Sequence, residues 1–197
     1  MSYPVFLNLE DSKVIIVGGG RIAERKLKSI LHESANVFIS ATEINESIES
    51  LARENNNIII SKTPFDLSFL NDATLVFAAT DDDSMNDMVT DHCKRKGILV
   101  NNCMDATKST FRSGAVVREG QVEIAVGTGG KRPGLAKYII SRIQSALPDQ
   151  LSQMTNYYDG LRIEAREKFD LSQDREKYIK EKFKTYTDSV KGNDHEN

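Results

Sequence analysis

Residues Lys13–Lys26 read KVIIVGGGRIAERK and set three glycines between an apolar run and a charged stretch of helical spacing. Val14–Val17 is the short, solid, β-branched run of a buried strand. Gly18-Gly19-Gly20 interrupts it. Ala23, Leu27, Ile30 and Leu31 then fall at i, i+4, i+7 and i+8, one face of a helix, with Glu24, Arg25 and Lys28 turned elsewhere. The stretch predicts strand, tight turn and helix. Further runs at Val37–Ile39, Ile58–Ile60, Leu75–Ala79 and Ile98–Val100 repeat the strand signal at the spacing of a βαβ series. Right-handed crossovers between them make one parallel sheet. Between the last two runs, Ser84 is the expected cap of a helix with an apolar stripe of Met85, Met88, Val89 and His92, ended by Gly97.

Composition narrows the class. The chain has 197 residues, 39% hydrophobic and 28% charged, with a net charge of −3. That length supports a sizeable core. The mildly acidic balance argues against a general nucleic-acid binder. The N-terminal MSYPVFLNLEDSK lacks the basic flank and apolar run of a signal peptide, and no segment approaches the roughly 20 apolar residues of a bilayer span. A cytoplasmic protein without a membrane partner is expected. Cys93 and Cys103 form neither a CxxC pair nor a zinc-spaced set, so reduced thiols and no metal site are expected. His32, His92 and His195 are scattered and read as surface or packing residues.

The glycine turn carries chemistry. Gly18-x-Gly20-x-x-Ala23 fits the G-x-G-x-x-G/A dinucleotide fingerprint of Rossmann-type α/β sheets. Gly18 permits the turn, Gly20 lets the backbone approach a pyrophosphate, and Ala23 lets the helix pack close to the sheet. The amides of Arg21, Ile22 and Ala23 at the helix start then face the anion. The acidic residue that usually holds the ribose at the end of the second strand is missing, and that position reads Ser40-Ala41-Thr42-Glu43. Either Glu43 or the hydroxyls of Ser40 and Thr42 must serve. No arginine there invites a 2′-phosphate, so NAD is expected rather than NADP.

Other motifs lie on the same expected edge. FAATDDDSMN sets Thr80 beside the cofactor, while Asp82 and Asp83 read as a dipole-matching helix start. VNNCMDATKSTF brings Asn101, Asn102 and Asp105 together after the fifth strand. Taken alone, Asp105 is a turn former as readily as a catalytic group. Cys103, with no histidine beside it, reads as a small apolar group. GTGGKRPGLAKY is either a second anion site, from Thr128, Gly129, Gly130, Lys131 and Arg132, or an ordinary glycine-rich connection.

The pattern changes near Ser113. Ala115–Val117 and the alternating Val122, Ile124 and Val126 form a hairpin turning at Glu119-Gly120. Pro133 opens a helix with a stripe of Leu135, Ile139, Ile143 and Leu147 before Pro148. Beyond Asp149 the chain reads as charged helix with a ladder of Tyr157, Leu161, Ala165 and Phe169, frayed at residues 191–197. The expected organisation is a Rossmann-like NAD-binding domain over 1–112, a small α+β segment over 113–148 and a helical region over 149–197.

Taken in order, YPVFLNL, VIIVGGGRIAERK, FAATDDDSMN, NNCMD and VGTGGKRPGLAKYI resemble the precorrin-2 dehydrogenase / sirohydrochlorin ferrochelatase family of sirohaem biosynthesis, in a stand-alone form, over roughly residues 3–148. The resemblance implies NAD-dependent oxidation of precorrin-2 to sirohydrochlorin. Asn102-Cys103-Met104-Asp105 matches the family's N-x-x-D segment, which makes Asp105 the expected catalytic base, with Asn102 beside the cofactor. It also implies that Arg112, Thr128, Gly129, Gly130 and Lys131 meet the carboxylates of the tetrapyrrole, and that the segment after Ser113 forms a homodimer.

The chain departs from the family at Thr107, where many relatives have proline, and at FRSG, where they have Phe-x-x-Pro. Thr128 stands where some bifunctional relatives have serine. These changes surround the expected macrocycle pocket and leave dehydrogenation better supported than chelation. A bifunctional dehydrogenase and ferrochelatase is the second reading. A non-catalytic NAD-sensing domain is the third, and NNCMD and TGGKRPGLA count against it.

Overall fold

In a computed structural model, which describes residues 3–193, the chain divides into two compact units. One runs to Ser113 and takes in Gly129–Lys131; the other comprises Gly114–Thr128 and the chain from Arg132 onward.

The first unit is a parallel sheet of β1 (Lys13–Val17), β2 (Asn36–Ser40), β3 (Ile58–Ser61), β4 (Leu75–Ala78) and β5 (Leu99–Asn102), in the order β3-β2-β1-β4-β5. This is the Rossmann-type order, and the strands form where the apolar runs predict. Helix α1 (Arg21–Ile30) seats Ala23, Leu27 and Ile30 on one face of the sheet, as the spacing predicts. Helix α2 (Glu46–Glu54) shares that face through Ile48. Its signal in the sequence is Ile48, Leu51 and Ala52 after an Asn45 cap, whose side chain accepts the Ile48 N–H at 2.8 Å. Helix α3 (Asp83–Lys96) and a 3₁₀ turn at Leu67–Leu70 cover the other face.

Two expectations for α3 are corrected. Asp82, not Ser84, caps it, because the Asp82 carboxylate accepts from the Ser84 and Met85 N–H groups together at 2.8 and 3.1 Å. Its buried face is Asn86, Val89, Thr90 and Cys93, whereas Met88 is exposed. The polar residues can turn inward because each is hydrogen-bonded: Thr90 donates to the Asn86 carbonyl and Asn86 binds Thr80. The fifth strand also runs past Val100 through two asparagines that the β propensities disfavour. Asn101 stays in the sheet by donating to Ser109 Oγ and the Phe111 carbonyl, both at 3.3 Å.

In the second unit β6 (Ala115–Glu119) and β7 (Val122–Val126) pair antiparallel. The loop is Gly120-Gln121, one residue later than expected, because Gly120 supplies a φ of +59° at the first loop position. Helix α4 (Pro133–Gln144) packs on this hairpin with Pro133 in its first turn. Its inward face begins at Ala136, the small residue that lets helix and hairpin approach, and continues with the half-buried Ile139, Ile140 and Ile143. Ile139 and Ile143 of the expected stripe therefore hold, whereas Leu135 is exposed and Leu147 lies beyond the helix end. Helices α5 (Leu151–Lys168) and α6 (Ser172–Asn193) form an antiparallel pair. Leu161 and Ala165 are buried, Tyr157 stacks on Tyr186 at 4.3 Å and Phe169 meets Tyr178 at 5.4 Å. Of the end expected to fray, 191–193 continue α6 and 194–197 lie outside the described residues.

Candidate functional site

The order of the first sheet reverses at β1, which puts its topological switch point outside the carboxyl ends of β1 and β4, where sheets of this kind take their ligands. The glycine turn sits there. Gly18 takes a φ of +123°, and a Cβ on it would stand 2.4 Å from the Ala79 carbonyl oxygen. Gly19 packs against the loop after β2, where a Cβ would lie 1.9 Å from the Glu43 oxygen. A Cβ on Gly20 would meet nothing within 4 Å among the described residues. Two glycines thus close the turn and the third leaves room in front of α1.

That room fits a nucleotide pyrophosphate. Helix α1 begins at Gly20 without a side-chain cap, whereas Asn45 and Asp82 cap the helices that follow. The first amides of α1, at Arg21, Ile22 and Ala23, have no partner within the helix and carry its positive dipole end. Ala23 is fully buried against the sheet, Ile22 is half-buried and Arg21 is exposed. At the end of β2, Thr42 and Glu43 are exposed. The Ser40 hydroxyl is buried and has no hydrogen-bond partner among the described residues, so it lies beneath this edge rather than on it.

Thr80 follows β4 on the same edge and is pinned by a side chain that the motif reading left unassigned. Asn86, fully buried, accepts the Thr80 N–H at 3.1 Å and hydroxyl at 2.9 Å and donates to the Thr80 carbonyl at 2.9 Å. The asparagine closing FAATDDDSMN was its only sequence signal.

Asp105 lies in the loop that leaves β5. Asn102 is buried at the start of this loop and its Oδ1 accepts the Met104 and Asp105 N–H groups at 3.1 and 3.0 Å. Its amide is therefore committed to shaping the loop. Asp105 Oδ1 accepts the Thr107 hydroxyl at 2.6 Å and N–H at 2.8 Å, and Oδ2 is 4.0 Å from Lys108. The Thr107 bonds first, then the Lys108 and Lys94 charges, hold the Asp105 carboxyl below the usual carboxylate range. Asp105 is a turn former and an ionised carboxylate at once.

Gly129–Lys131 belongs to the same unit and lies along this loop. A Cβ on Gly130 would stand 3.1 Å from Arg112 Cδ and 3.3 Å from Ala106 Cβ. Lys131 and Arg112 are exposed. Thr128 belongs to the second unit, where its hydroxyl donates to the Arg132 carbonyl at 2.9 Å. Lys26 is a further cation of the first unit that the motifs did not single out. Its Nζ donates to Ser113 Oγ at 3.1 Å and lies 5.2 Å from the centre of the Phe77 ring, and burial lowers its pKa. Of the histidines, His32 is exposed, His92 lines a hollow at the opposite end of β5, and His195 lies outside the described residues. Among the described residues no helix is long and apolar enough to cross a membrane.

Residues 5–115 match the family model described as "Putative NAD(P)-binding". The chain belongs to this NAD(P)-binding family. Over 176 residues, 89% of this chain, it is 32% identical to the siroheme synthase of Salmonella dublin and 31% identical to that of Salmonella typhimurium. It spans 38% of the length of these curated relatives. In fold it is similar to the solved structure of SirC, precorrin-2 dehydrogenase, with a TM-score of 0.77 at 21% identity, covering 97% of this chain and 100% of that one. These matches agree with the resemblance carried by the motifs.

Proposed function

We propose that this chain oxidises precorrin-2 to sirohydrochlorin, with NAD as acceptor, in sirohaem biosynthesis. The observation that carries the reading is the placing of Asp105, an ionised carboxylate in the loop after β5, on the same sheet edge as the open glycine turn. Similarity to the siroheme synthases and the fold shared with SirC, precorrin-2 dehydrogenase, support it.

When bound, NAD supplies the hydride acceptor. The open face of Gly20 and the amides of Arg21, Ile22 and Ala23 hold the pyrophosphate, beside the turn set by Gly18. Thr42 or Glu43 takes the ribose, and Thr80 completes the cofactor contacts, while buried Asn102 shapes the loop beside them. Asp105 accepts the proton that leaves the macrocycle as a hydride departs, its Oδ1 oriented by Thr107. A depressed pKa makes it a modest base that stays ionised across the neutral range. Arg112, Lys131 and the amides of Gly129 and Gly130, all of the first unit, meet the substrate carboxylates. Exposed Val116, Leu135 and Tyr138 in the second unit support a homodimer, which light scattering would test.

The test is an anaerobic absorbance time course with enzymatically prepared precorrin-2, with and without NAD. Sirohydrochlorin forming only with NAD is the expected result. Precorrin-2 left unchanged by NAD-bound protein would overturn the reading. Adding Fe²⁺ after oxidation is complete shows whether metal insertion outpaces the protein-free control.

A further inference from the structure

We propose that Lys108 is a positioning residue for Asp105, anchored to α3 by Asp87, so that one ion pair fixes the carboxylate on which the dehydrogenase reading depends. The inference rests on that reading.

Asp87 grips the loop at both ends. Lys108 Nζ donates to its two oxygens at 2.7 and 2.6 Å, and Asn102 Nδ2 donates to Asp87 Oδ1 at 3.4 Å. Between these anchors Asn102 Oδ1 holds the Asp105 N–H, and the Lys108 ammonium lies 4.0 Å from Asp105 Oδ2. The carboxylate is thus tied to a helix through a buried amide and through a cation, with Thr107 fixing its other oxygen. Stability does not account for the arrangement. The Lys108 and Asp87 side chains are 44% and 41% exposed, and ion pairs of that exposure add little to folding. Placing a reacting group is a different matter, since a small displacement of a catalytic atom is costly in rate.

The charges around the pair point the same way. Asp105 is faced by Lys108 on its own loop and by Lys94 on α3; Lys108 is faced by Asp87, Asp105 and Asp83. The Asp87 hydrogen bond raises the lysine's pKa further above its ordinary range, and the lysine in turn favours the ionised form of Asp105.

Lys108→Met, Lys108→Arg and Asp87→Asn in the full chain test this. Lys108→Met should lower kcat about tenfold or more while leaving NAD affinity and melting temperature near those of the parent. Loss of the cation raises the Asp105 pKa, so the acid limb of the kcat profile should move to higher pH. Lys108→Arg should restore most of the rate. Asp87→Asn should lower kcat without raising the limb, because the cation stays. Parental kcat and limb in Lys108→Met, with Asp105→Asn inactive, would overturn the inference and leave the dehydrogenase reading standing. A second readout needs no turnover: the carbon-13 shift of the Asp105 carboxyl should titrate at higher pH in Lys108→Met. An unchanged midpoint would also overturn it. A parent protein inactive on precorrin-2 would instead sink the dehydrogenase reading, with the NMR titration still deciding whether the two side chains are coupled.

Discussion

Gly19 faces the carbonyl of Glu43 so closely that a Cβ would stand 1.9 Å from its oxygen, although a Cβ on the neighbouring Gly20 would meet nothing within 4 Å among the described residues. The Asn45 N–H also donates to the Gly19 carbonyl at 3.0 Å, tying the turn to the loop that opens α2. Adjacent glycines therefore answer to different demands, packing in one case and open space in the other.

Gly19→Ala forces backbone apart and should destabilise the fold by about 1–3 kcal/mol, the usual cost of overpacking. Gly20 has a φ of −87°, open to any residue, so Gly20→Val should fold with a melting temperature close to the parent. It should nevertheless weaken NAD binding by filling the space in front of α1. Thermal melts and calorimetric NAD titrations of both variants check the contrast. An unchanged titration for Gly20→Val would place the nucleotide elsewhere.

Asn86→Ala removes a fully buried side chain that partners the half-buried Thr80 N–H and carbonyl, while the Thr80 hydroxyl keeps the Asp82 carbonyl at 3.0 Å. Leaving a buried polar group unpaired costs about 1–3 kcal/mol. The urea midpoint should fall with an unchanged slope, and NAD affinity should fall with it because the turn after β4 is no longer pinned. A loss of stability without any change in affinity would separate Thr80 from the cofactor.

Asp105→Asn should leave NAD affinity near normal and sharply lower kcat, since the proposed base is lost while the glycine turn is untouched. Thr107, Lys108 and Lys94 depress the carboxyl pKa, so the active ionised form persists to lower pH than for an ordinary aspartate. Activity should therefore be flat through neutrality and fall only as pH drops through that depressed value. A pH-rate profile checks the sign: an acid limb above the ordinary carboxylate range would assign the essential group elsewhere.

The sheet is legible in the sequence because its strands leave solid apolar runs, above all β1 and β4, which are buried on both faces, and α1 because Ala23, Leu27 and Ile30 repeat at helical period. Polar burial defeats the same logic. Asn86 and Thr90 turn inward on α3, and Asn101 and Asn102 extend β5, through hydrogen bonds that no periodicity reveals. The start of the α4 face escapes the pattern for another reason, although Ile139 and Ile143 keep to it. Its inward side is led by Ala136, whose size suits close packing, while the larger Leu135 is left outside. At the candidate site, the glycine turn and the Asp105 segment announce themselves as local motifs. The tie between Lys108 and Asp87 does not, because the partners are 21 residues apart and meet only once α3 and β5 are side by side.

The two thiols offer a test of how firmly the first unit is packed. Cys93 is fully buried on the inner face of α3, and burial pushes its thiol up to about 11. At pH 8 only about one molecule in a thousand then carries the reactive thiolate there, and the sulfur is out of reagent's reach as well. Cys103 is half-buried; burial raises its thiol too, but the Lys26 and Arg25 charges oppose the shift. Alkylation in native buffer should therefore modify Cys103 first, with Cys93 reacting only through opening of α3 from the sheet. Mild urea should accelerate Cys93 labelling steeply and Cys103 labelling little, so the Cys93 rate becomes a gauge of global opening. Equal rates at the two sites in native buffer, read by mass spectrometry of the labelled peptides, would show that α3 separates from β4 and β5 far more readily than its packing implies.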